Sequence, residues 1–112
     1  MYLPPIYLEL EQFLERVKQD LTNPDQHALI SAKIATFIAE IPHTFNQLES
    51  LPRSLGVEMH KQLNLLKNDL VFWQAARTSE TQAQRWQKID QRLRILTTYM
   101  HQFATISKTA NQ

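Results

Sequence analysis

The stretch Met59-His-Lys-Gln-Leu-Asn-Leu-Leu-Lys-Asn-Asp-Leu-Val-Phe-Trp73 decides the fold class. Met59, Leu63, Leu66, Leu70 and Trp73 follow one another at a 4-3-4-3 spacing. An α-helix gathers that spacing into one lengthwise apolar stripe, whereas a strand would scatter it over both faces. Gly56 lies near the start of this helix, where it either weakens the helix or permits close packing.

Outward from this stretch the same period recurs. On the C-terminal side Ser79-Glu-Thr-Gln82 matches a capping box, and Trp86, Ile89, Leu93, Leu96, Met100 and Phe103 make the next stripe. On the N-terminal side Ile30, Ile34, Phe37/Ile38, Ile41, Phe45 and Leu48 mark a helix that contains Pro42. Proline removes a backbone donor, so this helix is predicted to kink, or to divide into two abutting helices, near Ile38–Pro42. Its start is signalled by Asn23-Pro-Asp-Gln26, with Asn23 as cap and Pro24 in the first helical position. The first segment carries Leu3, Ile6/Tyr7, Leu10, Phe13/Leu14, Val17 and Leu21, and is expected to stop near Thr22. The prediction is an all-α protein: a four-helix up-and-down antiparallel bundle over residues 1–106, with a disordered polar tail over 107–112. An extended pair of hairpins that dimerises is the alternative.

Composition narrows the chemistry. With a single glycine and no cysteine among 112 residues, the chain has no glycine-rich phosphate loop, disulfide framework or thiol nucleophile. The opening Met1-Tyr-Leu-Pro-Pro-Ile-Tyr7 lacks a basic leader, and Glu9, Glu11 and Glu15 soon interrupt the apolar run. A signal peptide is therefore not expected, no stretch approaches the roughly 18 apolar residues of a membrane span, and a cytosolic protein is the expectation.

Charge is unevenly distributed. Residues 1–51 hold three Lys/Arg against seven acids, a net of −4, and residues 52–112 hold nine against four, a net of +5. Either the halves attract each other within the fold or one face meets a charged partner.

Reactive centres find little support. A di-iron site in a helical bundle needs two Glu-x-x-His pairs, and only Glu40-Ile-Pro-His43 qualifies, with Pro42 inside it. His27, His43, His60 and His101 include no i,i+4 pair, so they read as surface or rim residues and no metal is expected. Met100 falls on the core stripe, where a flexible gap-filler is common, rather than in a haem pocket. Serines and threonines cluster at helix boundaries, where capping accounts for them. No enzyme and no cofactor is expected. Arg85, Lys88 and Arg92 line one side of a helix, but a net charge of +1 is not a nucleic-acid footprint.

Two further strips exceed what a core requires. Arg85, Lys88, Arg92, Ile95, Tyr99 and Ile106 flank the last apolar stripe, and Glu58, Gln62, Leu65, Asp69, Phe72 and Ala76 flank the preceding one. Such mixed flanks pack on a neighbouring helix or form a partner or self-association surface, in which arginine and aromatic residues supply the anchors. Arg85, Lys88, Arg92, Ile95, Tyr99 and Phe72 are the candidate contact residues. Trp73 and Trp86 read as core.

The segment from Met59 to Arg77, with its His60-Lys-Gln-Leu63 and Gln74-Ala-Ala-Arg77 pieces, resembles the heterocyst-frequency control protein PatD family of cyanobacteria. The resemblance continues through Thr81-Gln-Ala-Gln-Arg85 and Arg92-Leu-Arg-Ile-Leu96, spanning roughly residues 59–103, a little under half of the chain. Before Met59 only the opening helical pattern matches. The resemblance implies a non-enzymatic regulator of cell division and heterocyst differentiation, acting at the division site by binding and stabilising filaments of the tubulin-like protein FtsZ. It assigns no binding residues. The competing expectation is a self-associating helical scaffold, a homodimer included, or an accessory regulator of differentiation that does not bind FtsZ.

Overall fold

A computed structural model describes residues 5–47 and 53–110. Four α-helices account for nearly all of them: α1 (Pro5–Asp20), α2 (His27–Gln47), α3 (Arg53–Ala75) and α4 (Ser79–Ala110), with one 3-10 turn (Pro24–Gln26) before α2. Around the bundle α1 lies against α2 and α4, α2 against α3, and α3 most extensively against α4. That is the expected up-and-down antiparallel ring. It forms a rod 51 × 22 × 20 Å, whose long axis matches the roughly 48 Å that the 32 residues of α4 span at 1.5 Å each.

The apolar stripes close one core. Tyr7, Leu10, Phe13, Val17 and Leu21 meet Ile30, Ile34, Phe37 and Ile41 from α2, Met59, Leu63, Leu66 and Leu70 from α3, and Ile89, Leu93, Leu96, Met100 and Phe103 from α4. Leu55 joins them one turn before the expected start of the α3 stripe, and Gly56 beside it is buried, as close packing requires. Two aromatic contacts set the register. Tyr7 stacks on Phe103 with ring centroids 5.0 Å apart, and Phe13 meets Phe37 edge-on at 5.3 Å. Near the first pair Tyr7, Leu10, Ile41, Met59 and Met100 line an apolar recess of only about 10 Å³. Such a recess is too small and too apolar to hold a stable water.

The helix ends follow local chemistry. Asn23 is extended, at φ −106° and ψ 109°, and its Oδ1 accepts the Asp25 N–H at 3.1 Å. The cap thus forms as the sequence predicts, but Pro24 opens a 3-10 turn, and α-helical geometry begins only at His27. At the start of α4 the capping residue is Thr78, one position ahead of the predicted Ser79. Its Oγ1 accepts the Thr81 N–H at 3.1 Å, and its carbonyl takes the Gln82 N–H at 3.0 Å.

In the helices themselves one expectation narrows and another changes. α2 runs unbroken across Pro42, so it is one helix and not two abutting ones. The proline costs it the hydrogen bond that the Ile38 carbonyl would otherwise accept, while Ile34, Phe37 and Ile41 stay in phase on the buried face. α4 continues through residues 107–110, where the sequence predicts a disordered tail, because no glycine or proline interrupts it. The side chains of Phe45 and Ile106, together with Leu3, Leu48 and residues 111–112, lie outside the described residues.

Burial and charge each make a testable statement. Leu66 is fully buried at the centre of the rod, and truncating it leaves a cavity. Leu66→Ala should therefore lower unfolding stability in urea by about 3 kcal/mol, whereas alanine at half-buried Leu65 should cost clearly less. The Lys18 ammonium bonds Asp90 from α1, and Arg94 Nε adds a second contact at 3.0 Å. The Lys18 bond, opposed in part by desolvation and helped by Arg94, holds the Asp90 carboxyl below its ordinary range. A carboxylate depressed in the folded state stabilises above its unfolded pKa, and the effect disappears as acid protonates it. Lys18→Met should accordingly be less stable than the parent at pH 7, and the gap should close on titration below the usual carboxylate range.

Candidate protein interface along helices three and four

The two flanking strips face each other across the α3–α4 seam. Arg92, on α4, reaches over to α3. Its Nε donates to Asp69 Oδ2 at 3.3 Å and its Nη1 to Gln62 Oε1 at 3.3 Å. Asp69 is only 7% exposed and Gln62 equally so, which makes this a clasp inside the molecule. A two-turn spacing on α3 suits it: residues 62 and 69 stand on one face, and the fork of a guanidinium reaches both.

Farther along the seam the Arg85 guanidinium lies 4.8 Å from the centroid of the Phe72 ring, in cation–π range. Phe72 is 52% exposed even with that cover. Lys88, one turn on from Arg85, is exposed, and Ile95 is half-buried. Tyr99 is packed against the core. The structure therefore brings Phe72, Arg85 and Lys88 together at the surface. Arg92 stands apart from them, committed to Asp69 and Gln62 inside the seam, and Tyr99 anchors the strip to the core.

Other features were not visible in the periodicity. Val57 and Val71 stand outward on α3 at 64% and 56% exposure, Val71 next to Phe72 and Val57 four turns away. Trp73 and Trp86, read as core, are a half-buried pair with centroids 5.4 Å apart at one end of the bundle. With Leu21, Thr22, Gln82 and Ala83 they line an open cleft of about 500 Å³. The cleft exists because α1 ends at Asp20, leaving the first turns of α4 without a neighbour on that side. His27 packs beside the pair, its ring 5.2 Å from Trp73 and its Nε2 2.8 Å from the Leu21 carbonyl. Only a protonated Nε2 is a suitable neighbour for that oxygen.

Several threonines elsewhere bond to backbone. Thr36, Thr97, Thr98 and Thr105 lie within helices, not at boundaries, and each donates to the carbonyl four residues earlier, at 2.8–3.1 Å. Thr22 donates to the Gln19 carbonyl at 2.6 Å. Tyr7 donates to Glu11 at 3.1 Å, and burial together with that carboxylate raises its pKa above the ordinary range. Among the described residues no three of His, Asp and Glu come together as a metal-holding cluster. No helix among them is long and apolar enough to cross a membrane.

The clasp yields a thermodynamic prediction. Arg92→Leu leaves a buried carboxylate without its partner and should cost about 3 kcal/mol in urea unfolding. The double variant Arg92→Leu/Asp69→Leu removes both charges and should recover most of that loss, since an apolar pair of similar volume substitutes well for a buried ion pair.

No protein-family model matches this chain, and neither does any curated protein or solved structure.

Proposed function

We propose that this protein is a non-enzymatic interaction protein that docks a partner on the outer side of the α3–α4 seam. The observation that carries the reading is the Phe72–Arg85 pair. A half-exposed aromatic ring stacked under a guanidinium, with exposed Val71 and Lys88 nearby, is the chemistry that dominates binding energy at protein interfaces. The Arg92–Asp69–Gln62 clasp supports the reading differently: it holds α3 and α4 in fixed register, so the surface groups are preorganised before contact.

The partner in this proposal is the one implied by the resemblance to the PatD family, a filament of FtsZ, with the protein working in the cytoplasm at the division site. A basic rim from Arg85 and Lys88 suits an acidic filament surface, because complementary charge raises the encounter rate and fixes register. A repeated polymer also rewards a rigid rod with a lengthwise contact strip over a protein with a reactive pocket. The filament reading supplies the control of cell division and of heterocyst frequency.

Co-sedimentation with assembled FtsZ tests the proposal. The parent protein should pellet with filaments, and binding should weaken as salt rises. Phe72→Ala and Arg85→Glu/Lys88→Glu should each reduce the pelleted fraction by about tenfold or more. Unchanged pelleting by the charge-reversed variant at low salt would show that this face is not the contact.

A further inference from the structure

The face opposite the seam is also unfilled. α1 and α2 diverge on their outer side and leave a groove of about 740 Å³. Phe13, Ile30 and Phe37 form its floor, and Leu29 stands at its rim with 51% of its surface exposed. Glu9, Glu15 and Asp20 lie along its α1 wall, and Arg16 and Lys33 are the cations there. The order of helices around the bundle places this α1–α2 edge across the rod from the α3–α4 seam.

The charge asymmetry of the sequence thus becomes an asymmetry in space. Residues 5–47, which build α1 and α2, hold three Lys/Arg against six acids, a net of −3, and residues 53–110, which build α3 and α4, hold nine against four, a net of +5. Among the described residues, Lys/Arg to Asp/Glu pairing does not cancel it. The ion pair joining the halves runs the other way, Lys18 from the acidic half to Asp90 of the basic half. It removes a cation from the acidic side and an anion from the basic side, so each outer face keeps its sign.

From these observations we infer that the α1–α2 groove receives the α3–α4 face of a second copy of this chain. Exposed Phe72 is the apolar projection that an aromatic-floored groove accommodates, and Arg85 and Lys88 beside it meet Glu9 and Glu15 on the wall. A molecule of net charge +1 whose two sides differ in sign attracts its own kind without an overall repulsion to overcome. Because two different faces are used, the contact is heterologous. It does not close on itself, and copies add side by side into an open row, one bundle width of 20–22 Å per step. This association goes beyond the filament reading and needs no other protein.

Sedimentation velocity on the purified chain, with no FtsZ present, tests it separately from the filament proposal. At about 0.01 M salt the average mass should climb with concentration past the dimer, and at about 0.5 M it should fall towards the monomer. Glu9→Gln/Glu15→Gln and Arg85→Gln/Lys88→Gln should each weaken association by about tenfold, with helical circular dichroism unchanged. An equimolar mixture of the two variants retains one intact contact and should stop at a 1:1 dimer. A parent that stays monomeric at low salt overturns the inference. So does a parent that halts at a closed dimer, or a pair of variants that associate like the parent.

Discussion

The apolar stripe of α4, from Ile89 to Phe103, is the constraint on which the other helices depend. It is buried along its length, and α4 outreaches every other helix. α3 lies along it most extensively, α1 covers its middle, and α2 closes the ring over α1 and α3. Where a neighbour ends before α4 does, the uncovered turns form surface features, and the tryptophan cleft beyond Asp20 is one of them. The shape of the molecule is thus a consequence of unequal helix lengths around one spine. Without the stripe the short α1 would have too little apolar surface elsewhere to stay docked, since helical stability in proteins comes mainly from packing an amphipathic face.

Much of this was legible in the residues because periodicity reports angle around a helix. The 4-3-4-3 spacing assigned Leu63, Leu66, Leu93 and Leu96 to the core, and all four are buried. Periodicity does not report position along the axis relative to a neighbour's end. Trp73 and Trp86 are in phase with their stripes and still half-buried, because they sit at the end of the rod. Nor does it settle a choice between adjacent capping residues. Thr78 and Ser79 are both competent, and Thr78 wins because its Oγ1 reaches the Thr81 N–H. In α2 the in-phase burial of Ile34, Phe37 and Ile41 outweighs the single hydrogen bond lost at Pro42.

The candidate interface was half legible for a related reason. Each strip could be drawn on its own helix, but only tertiary structure shows that they oppose each other. Once opposed, residues that look alike in sequence separate by role. Arg85 and Arg92 are both arginines on one face of α4, two turns apart. Arg92 meets a carboxylate buried to 7% exposure and becomes an internal clasp, while Arg85 meets a ring at the surface and remains available to a partner. The difference lies in what α3 presents: Asp69 faces inward along the seam, whereas Phe72, near the end of α3, has less of α4 to cover it.

A clasp and an open patch share one seam, and the first fixes the geometry of the second. Isolated helices slide and roll against each other when leucines alone join them, because apolar packing has little directional preference. A half-buried guanidinium bridging two buried acceptors does have one, and an error of one residue in register would leave the Asp69 carboxylate without its partner. The clasp is therefore weak evidence for stability and better evidence that the relative position of α3 and α4 matters. What depends on that position is the pairing of Phe72 with Arg85, which needs both helices to bring a ring and a cation to the same place. The groove across the rod carries the opposite sign of charge and an aromatic floor, so the two faces differ in shape as well as in charge. The difference in charge traces to the uneven division of acidic and basic residues between the first and second halves of the sequence.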